Sequence, residues 1–218
     1  MLGLFDSGSG GLNTVRYIKE SADQIDLVYL IDRERAPYGI KTEEELVRIT
    51  EDNIARLTDM GAEKVLIACC TASTVYDKLS KECRKRAVPI IDPVAKAAKN
   101  STRSGRIGVI ATQRTVNSHA FKKALEGFFV AEYALGELVG LIDGGLSDAT
   151  VRKTDETALE AMLSTVLSQE IDTLILGCTH FPSLYNTITK IAKKYGVEHV
   201  IDSARVGADL LEAIEKES

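Results

Sequence analysis

Two cysteines in related contexts are the residues of this sequence best suited to chemistry. Cys69 and Cys178 each follow a short apolar run and precede a hydroxyl-bearing segment. A thiol between a strand end and a helix N-terminus has its thiolate stabilised by the helix dipole and unpaired N–H groups, so we expect both thiol pKa values to be lowered towards neutrality. Two thiols that face one carbon from opposite sides can remove a proton from one face and return one to the other. The pair therefore predicts acid/base chemistry that inverts a stereocentre, with a neutral-to-alkaline activity optimum.

Further polar segments follow the predicted strands, where ligands bind in open α/β sheets. Hydroxyl groups and glycines dominate them, which suits a small anion with more than one carboxylate. The glycine-rich segment 6–11 lacks the Gly-Lys-Ser/Thr of a phosphate loop and the G-x-G-x-x-G pattern with its acidic partner, so nucleotide binding is not indicated. The segments are 6–11, 32–39, 69–73, 112–115 and 178–180.

Several residues near the two thiols have competing interpretations. His180 is expected to be a proton partner of Cys178, with helix capping as the alternative. Asp6 can cap the first helix and still face the site. Cys70 stays open between a small hydrophobic residue, a pocket lining and the reactive thiol itself. Cys83 lies among charged residues in a predicted helix and is interpreted as a structural residue.

Short strands alternate with amphipathic helices, which predicts an α/β fold of mainly parallel sheets. The continuous apolarity of 65–67 and 174–176 is typical of strands covered on both faces. Thr42 and Glu45 have the spacing of a capping box at a helix start. Strands are predicted at 2–5, 27–31, 64–68, 88–91, 107–111, 174–176 and 199–201. Helices are predicted at 11–20, 42–60, 72–86, 116–127, 154–168, 183–195 and 206–216.

An internal repeat relates the two halves of the chain. Segments 2–7, 65–71 and 90–93 correspond to 107–112, 174–179 and 200–203, at offsets between 105 and 110. Three matches at nearly one offset favour a duplicated α/β unit over the general similarity of parallel strands. With crossings at 95–106 and 202–204, we expect one pseudo-symmetric domain of residues 1–93 plus 204–218 and another of residues 94–203, with the site at their interface.

Composition excludes several classes of protein. The 218 residues are 44% hydrophobic and 27% charged, as in a globular protein with a sizeable core. A net charge of −5 gives no basic footprint for a nucleic acid or an anionic membrane. No apolar run approaches a membrane span or fits a secretion leader, so a cytoplasmic location is expected. Four cysteines without zinc-type spacing predict neither a disulfide framework nor a metal site.

Four segments resemble those of glutamate racemases, members of the cofactor-independent aspartate/glutamate racemase superfamily, and the resemblance spans nearly the whole chain. It implies two domains with a small-molecule substrate, an acidic amino acid, between them. It also implies no pyridoxal phosphate or other cofactor, a homodimer, and supply of D-glutamate to cell-wall precursors. The segments are Phe5-Asp6-Ser7-Gly8-Ser9-Gly10-Gly11-Leu12, Pro37-Tyr38-Gly39, Ala68-Cys69-Cys70-Thr71-Ala72-Ser73 and Leu176-Gly177-Cys178-Thr179-His180-Phe181-Pro182.

The resemblance also implies residue roles. Cys69 and Cys178 match the opposed acid/base thiols, Asp6 an assistant near Cys69, and His180 an assistant near Cys178. Asp32 matches an acidic position associated with the site. The implied substrate-binding residues are Asp6, Ser7, Pro37, Tyr38, Gly39, Cys70, Thr71, Thr112, Thr115 and Thr179.

Two departures from the family pattern bear on the substrate. Cys70 stands where family members usually have asparagine, which removes two donors and an acceptor. Asp143 aligns with a glutamate and is one methylene shorter, which weakens its expected support of His180. Glutamate is the first choice of substrate and aspartate the alternative. A related dicarboxylate isomerase or decarboxylase that uses one thiol stays open, as does a non-catalytic protein that binds an anion and senses redox state through Cys69 and Cys70.

Overall fold

The computed structural model describes residues 1–21 and 25–217 and forms, within them, two parallel four-stranded sheets. The strand orders are β2-β1-β3-β4 and β6-β5-β7-β8. This shared order confirms the α/β class and matches the internal repeat. The strands are β1 Leu2–Asp6, β2 Leu27–Ile31, β3 Lys64–Ile67, β4 Ala87–Pro89, β5 Arg106–Ala111, β6 Phe129–Ala134, β7 Thr173–Gly177 and β8 His199–Asp202.

Helices connect successive strands and cover the sheets. The Thr42 side chain accepts a hydrogen bond from the Glu45 N–H and the Glu45 carboxylate accepts one from the Thr42 N–H, so the predicted capping box is confirmed. The α-helices are α1 Leu12–Glu20, α2 Glu43–Asp59, α3 Cys70–Ser73, α4 Lys81–Arg86, α5 Ile91–Ser101, α6 Gln113–Ser118, α7 Ala120–Ala124, α8 Gly136–Asp143, α9 Lys153–Leu167, α10 Tyr185–Lys193 and α11 Ser203–Glu217.

Two helices that were predicted to be continuous are interrupted in the structure, so their predicted bounds are wrong. The segment 72–86 breaks after a 3-10 turn, and Ser80 then caps α4 by accepting from the Cys83 N–H at 3.4 Å. The segment 116–127 is split into α6 and α7 at His119, whose φ of +52° lies in the left-handed region. A local side-chain cap and one left-handed residue thus override the helical periodicity.

The connections between the sheets also differ from the prediction. Most of the predicted crossing at 95–106 is helix α5, which starts at Ile91 with Pro93 in its first turn, where proline is tolerated. The predicted return crossing at 202–204 contains the end of β8 and the start of α11. Strand β6 and helix α8 were not predicted. Residues 22–24 and Ser218, which belong to the first predicted domain, lie outside the described residues.

One hydrophobic cluster joins the two sheets. Leu4 and Leu66 of the first sheet belong to the same buried cluster as Ile107, Val109 and Ile175 of the second. Full burial of such a side chain contributes about 1.5–3 kcal/mol. The shared core therefore holds the two sheets together and fixes the loops at their facing edges. Within the described ranges, none of the helices combines the length and apolarity needed to cross a bilayer.

Candidate active site

A cavity of about 340 Å³ lies between loops of the two sheets. Its volume is near the lower end of the range for small-molecule sites. Cys69 and Cys178 both line it, so the structure brings the two predicted thiols to one cavity from opposite halves of the chain. The first half contributes Ser7, Gly8, Ala36, Pro37, Tyr38, Gly39, Ile40, Cys69, Cys70 and Thr71; the second contributes Thr112, Gln113, Gly136, Val139, Asp143, Cys178, Thr179 and His180.

Cys69 lies between β3 and α3, as the N-cap residue of that helix, and is 5% exposed. Burial, followed by the charge of Asp6, raises the pKa of its thiol to about 11. The N–H groups of Ala72 and Thr71 and the Ser7 hydroxyl, 3.6 Å from Sγ, act in the opposite direction. The expectation of a lowered pKa is therefore wrong for Cys69, because loss of solvation outweighs the helix N-terminus.

Cys178 follows β7 and is 6% exposed. Its Sγ lies 3.8 Å from Nδ1 of His180. Burial raises the pKa of the Cys178 thiol; the N–H of His180 opposes this effect, while the charges of Cys69, Asp6 and Asp143 add to it. The predicted lowering is wrong here too, and both thiols are protonated at neutral pH in this structure.

The ring of His180 connects Cys178 to an acidic residue. Nε2 lies 3.3 Å from Oδ1 of Asp143, and that oxygen also accepts a hydrogen bond from Ser9 Oγ at 2.8 Å. The shorter aspartate therefore reaches the imidazole, contrary to the weakened support expected from its length. A carboxylate at Nε2 fixes the orientation of the ring.

Asp6 is fully buried behind the cavity wall. Its Oδ2 accepts from the N–H groups of Gly8 and Gly11, both at 3.1 Å, and its Oδ1 accepts from the hydroxyl of Thr179 at 3.0 Å. Burial raises the pKa of the Asp6 carboxyl, and the charge of His180 and these donors oppose the rise. The charge of Asp6 contributes to the raised pKa of both Cys69 and Cys178.

Three threonine hydroxyls meet where α3 faces α6. Oγ1 of Thr71 lies 2.9 Å from Oγ1 of Thr112 and 3.2 Å from that of Thr115, and the last two are 3.0 Å apart. Thr71 and Thr112 line the cavity, whereas Thr115 is fully buried behind them. Hydroxyls that bond one another can turn outward to donate to a carboxylate.

The remaining cysteines lie in different surroundings. Cys70 lines the cavity, is 1% exposed and packs in the cluster that joins the sheets. Burial, and then the charges of Cys178 and Cys69, raises its pKa well above the usual value. This position agrees with a pocket lining that is also a small hydrophobic residue. Cys83 is partly buried against a separate cluster, outside the cavity.

The residues that sequence analysis missed come mainly from α8. Gly136 and Val139 line the cavity from the same face as Asp143. The internal repeat could have revealed this region. In the structure β6 pairs with β5 as β2 pairs with β1, so the repeat predicts a second strand, followed by site residues, after β5. Ile40, one residue beyond the predicted segment 32–39, was also missed. Across the described part of the chain, no group of three or more His, Cys, Asp or Glu side chains is arranged as metal ligands.

Comparison with known proteins agrees with this geometry. Residues 12–211 match a family model described as Asp/Glu/Hydantoin racemase. The chain belongs to this racemase family. Glutamate racemase from Aquifex aeolicus is 37% identical over 213 residues, which cover 96% of this chain and 81% of that protein.

Solved structures of racemases share the whole fold. A glutamate racemase isoform from Bacillus anthracis has a TM-score of 0.86 and 30% identity, covering 100% of this chain and 82% of that one. The glutamate racemase from Francisella tularensis, solved with D-glutamate, has a TM-score of 0.84 and 28% identity, covering 99% and 81%. The predicted resemblance to racemases is confirmed at the level of family and fold.

Proposed function

We propose that this chain racemises glutamate without a cofactor, by a step in which one cysteine removes the Cα proton and the opposite cysteine supplies another proton to the other face. The observation that carries the proposal is that Cys69 and Cys178, from corresponding loops of the two sheets, line one cavity. Membership of the racemase family and the names of the similar proteins support the choice of substrate.

The reaction needs one thiolate and one thiol. The thiolate removes the Cα proton from one face, and the opposite thiol donates its proton to the other face of the planar carbanion. Each turnover leaves the two sulfurs with exchanged protonation states, and the reverse reaction starts from that arrangement. The proton count is therefore balanced within the site.

Neighbouring groups make a thiolate accessible despite the raised pKa values. Nδ1 of His180 lies 3.8 Å from Cys178 Sγ and can accept its proton. A proton moved from Cys69 to Asp6 removes the negative charge that raises the pKa of Cys69. The ammonium group of a bound amino acid would further favour a nearby thiolate.

Hydroxyl groups supply the donors for the two carboxylates. Thr71 and Thr112 are adjacent on one side of the cavity, and Ser7 lies near Cys69. Thr179 also lines the cavity, but its hydroxyl donates to Asp6. Asp6 and Thr115 act from behind the wall, since neither is exposed. The remaining predicted binding residues, Pro37, Tyr38, Gly39 and Cys70, shape the lining.

The proposal is tested by incubating the protein with each enantiomer of glutamate and aspartate in heavy water, without added pyridoxal phosphate and with a chelator. We expect both glutamate enantiomers to invert, with deuterium at Cα followed by NMR and inversion by circular dichroism. Aspartate should react about 10–200-fold more slowly, the range for one methylene. Inversion of aspartate alone would transfer the assignment to that acid, and absence of any inversion by folded protein would refute racemisation.

The same proposal includes a domain division at residues 1–93 plus 204–218 and 94–203. It also includes a homodimer and a cytoplasmic location, as the resemblance implies. Light scattering of the purified chain tests the dimer.

A further inference from the structure

A buried network outside the cavity anchors one of its walls. This wall, the rim, consists of residues 36–40, all of which line the cavity. Tyr38 is 2% exposed, packs in a core cluster and donates its hydroxyl to the Asp32 carboxylate. Gly39 faces the second half of the chain, since a Cβ built on it would lie 3.8 Å from Thr112 Cβ. The rim therefore spans from the network to the hydroxyls of the opposite sheet.

Three donors converge on Oδ2 of Asp32, which is 3% exposed. They are the Tyr38 hydroxyl, Arg35 Nε at 2.7 Å and Asn53 Nδ2 at 3.2 Å. Burial acts to raise the pKa of Asp32, but these hydrogen bonds outweigh it and hold the pKa below 3.8. Asp32 is thus a carboxylate at neutral pH and serves as an acceptor, not as an acid.

Arg35 and Asn53 tie this carboxylate to helix α2. Arg35 donates through Nη1 to Asp52 Oδ2 and through Nη2 to Asn53 Oδ1, both at 2.6 Å. Asn53 is fully buried, and its Nδ2 also donates to the Tyr38 hydroxyl at 2.9 Å. The planar guanidinium fixes the relative positions of its acceptors, which a lysine cannot do. Each group in the network therefore limits the movement of Tyr38.

We propose that Arg35 and Asn53 are positioning residues for the cavity, which hold Asp32 against Tyr38 and thereby fix the rim beside Cys69. The inference rests on the proposed function for its kinetic test. Neither residue belongs to the cavity lining, so neither acts on the substrate directly. A loose rim weakens binding of the ground state and the transition state alike, which raises KM and spares kcat.

The kinetic test compares Arg35→Met and Asn53→Leu with Arg33→Met, an exposed arginine of the same 3-10 turn. In the first two we expect KM for glutamate to rise about tenfold, kcat to change less than threefold, and the pH profile to stay unmoved. The double variant should raise KM by no more than about twice the worse single variant, since both residues act through one oxygen. Arg33→Met should behave as wild type.

A second readout does not depend on turnover. Mass spectrometry after iodoacetamide treatment gives the labelling of Cys69 relative to Cys83, which lies outside the cavity. We expect this ratio to rise at least fivefold in Arg35→Met and Asn53→Leu and to stay constant in Arg33→Met. If wild-type protein does not racemise glutamate, the proposed function fails while the labelling ratio still decides the role of the rim network.

Folding is checked by circular dichroism and melting temperature. If Arg35→Met or Asn53→Leu does not fold, Arg35→Lys replaces it, with an expected threefold rise in KM because the charge stays and the fixed geometry is lost. Folded variants with wild-type KM and labelling ratio would overturn the proposal. A shifted pH profile would also overturn it, since it would assign Asp32 to proton transfer.

Discussion

The hydroxyl of Thr179, one residue beyond Cys178, donates to Oδ1 of Asp6 at 3.0 Å. Asp6 ends β1 of the first sheet, whereas Thr179 follows β7 of the second. This bond joins the two halves directly behind the cavity. It also lowers the pKa of a carboxyl group whose charge acts on both thiols.

Removing this donor should move the acid limb of the activity profile. Without the hydroxyl of Thr179, the ionised form of Asp6 loses a hydrogen bond, so its pKa rises further. In Thr179→Val we therefore expect the acid limb of kcat/KM to shift to higher pH and kcat to fall about tenfold. Thr179→Ser keeps the hydroxyl and should preserve the profile. Identical profiles for the two variants would show that the bond has no role in protonation.

The raised pKa of Cys69 predicts that its thiol ionises only at high pH. The difference in thiolate absorbance at 240 nm between wild type and Cys69→Ser should have its midpoint near pH 11, because burial dominates. A midpoint near pH 7 would instead mean that the helix N-terminus dominates, as the sequence alone had indicated.

The same shift predicts alkaline instability. Since the pKa of Cys69 is higher in the folded state, its stabilising contribution is fully present below the ordinary thiol pKa of 9.0 and is lost as pH rises towards 11. The rise from 9.0 corresponds to about 3 kcal/mol. Melting temperatures between pH 8 and 11 should fall more steeply for wild type than for Cys69→Ser. Parallel curves would contradict this account.

Close packing at Gly10 predicts a steric test of the junction between the sheets. A Cβ on Gly10 would lie 2.4 Å from Thr179 Oγ1 and 2.7 Å from the Thr179 carbonyl carbon, so the backbone must shift. We expect Gly10→Ala to lower activity at least 100-fold.

The matched control for that test is Gly140→Ala in α8, where a Cβ meets nothing within 4 Å. This variant should keep its activity and gain about 0.5–1 kcal/mol of stability from helix propensity. Equal activity of the two alanine variants, measured with glutamate, would show that the contact between Gly10 and Thr179 can open without loss of activity.

Much of the fold could be predicted because burial on both faces leaves a strong local pattern. The apolar runs at β3 and β7 are continuous, and the Thr42 cap is a purely local interaction. In contrast, α8 contains Gly136 and Gly140, which lower helix propensity, and buries one residue, Leu138. Its position is set by contacts with residues distant in sequence, so periodicity alone does not reveal it.

The residues of the site were more predictable than their electrostatics. The spacing after β3 and β7 identified both cysteines as cavity residues. The sign of their pKa shift was wrong, because the sequence shows which residue precedes a helix but not how completely it is buried. The role of Arg35 was equally hidden, since its partners Asp52 and Asn53 lie on a separate helix.

Deuterium exchange by the two single-cysteine variants tests the two-thiol account most directly. Cys69→Ser and Cys178→Ser should each lose inversion of glutamate by at least 100-fold, as expected for loss of an acid/base group. Each variant keeps a thiol on one face only. In heavy water, the two variants should therefore exchange the Cα hydrogen of opposite enantiomers for deuterium without inverting them. Continued inversion by either variant, or exchange of the same enantiomer by both, would contradict proton transfer between opposed cysteines.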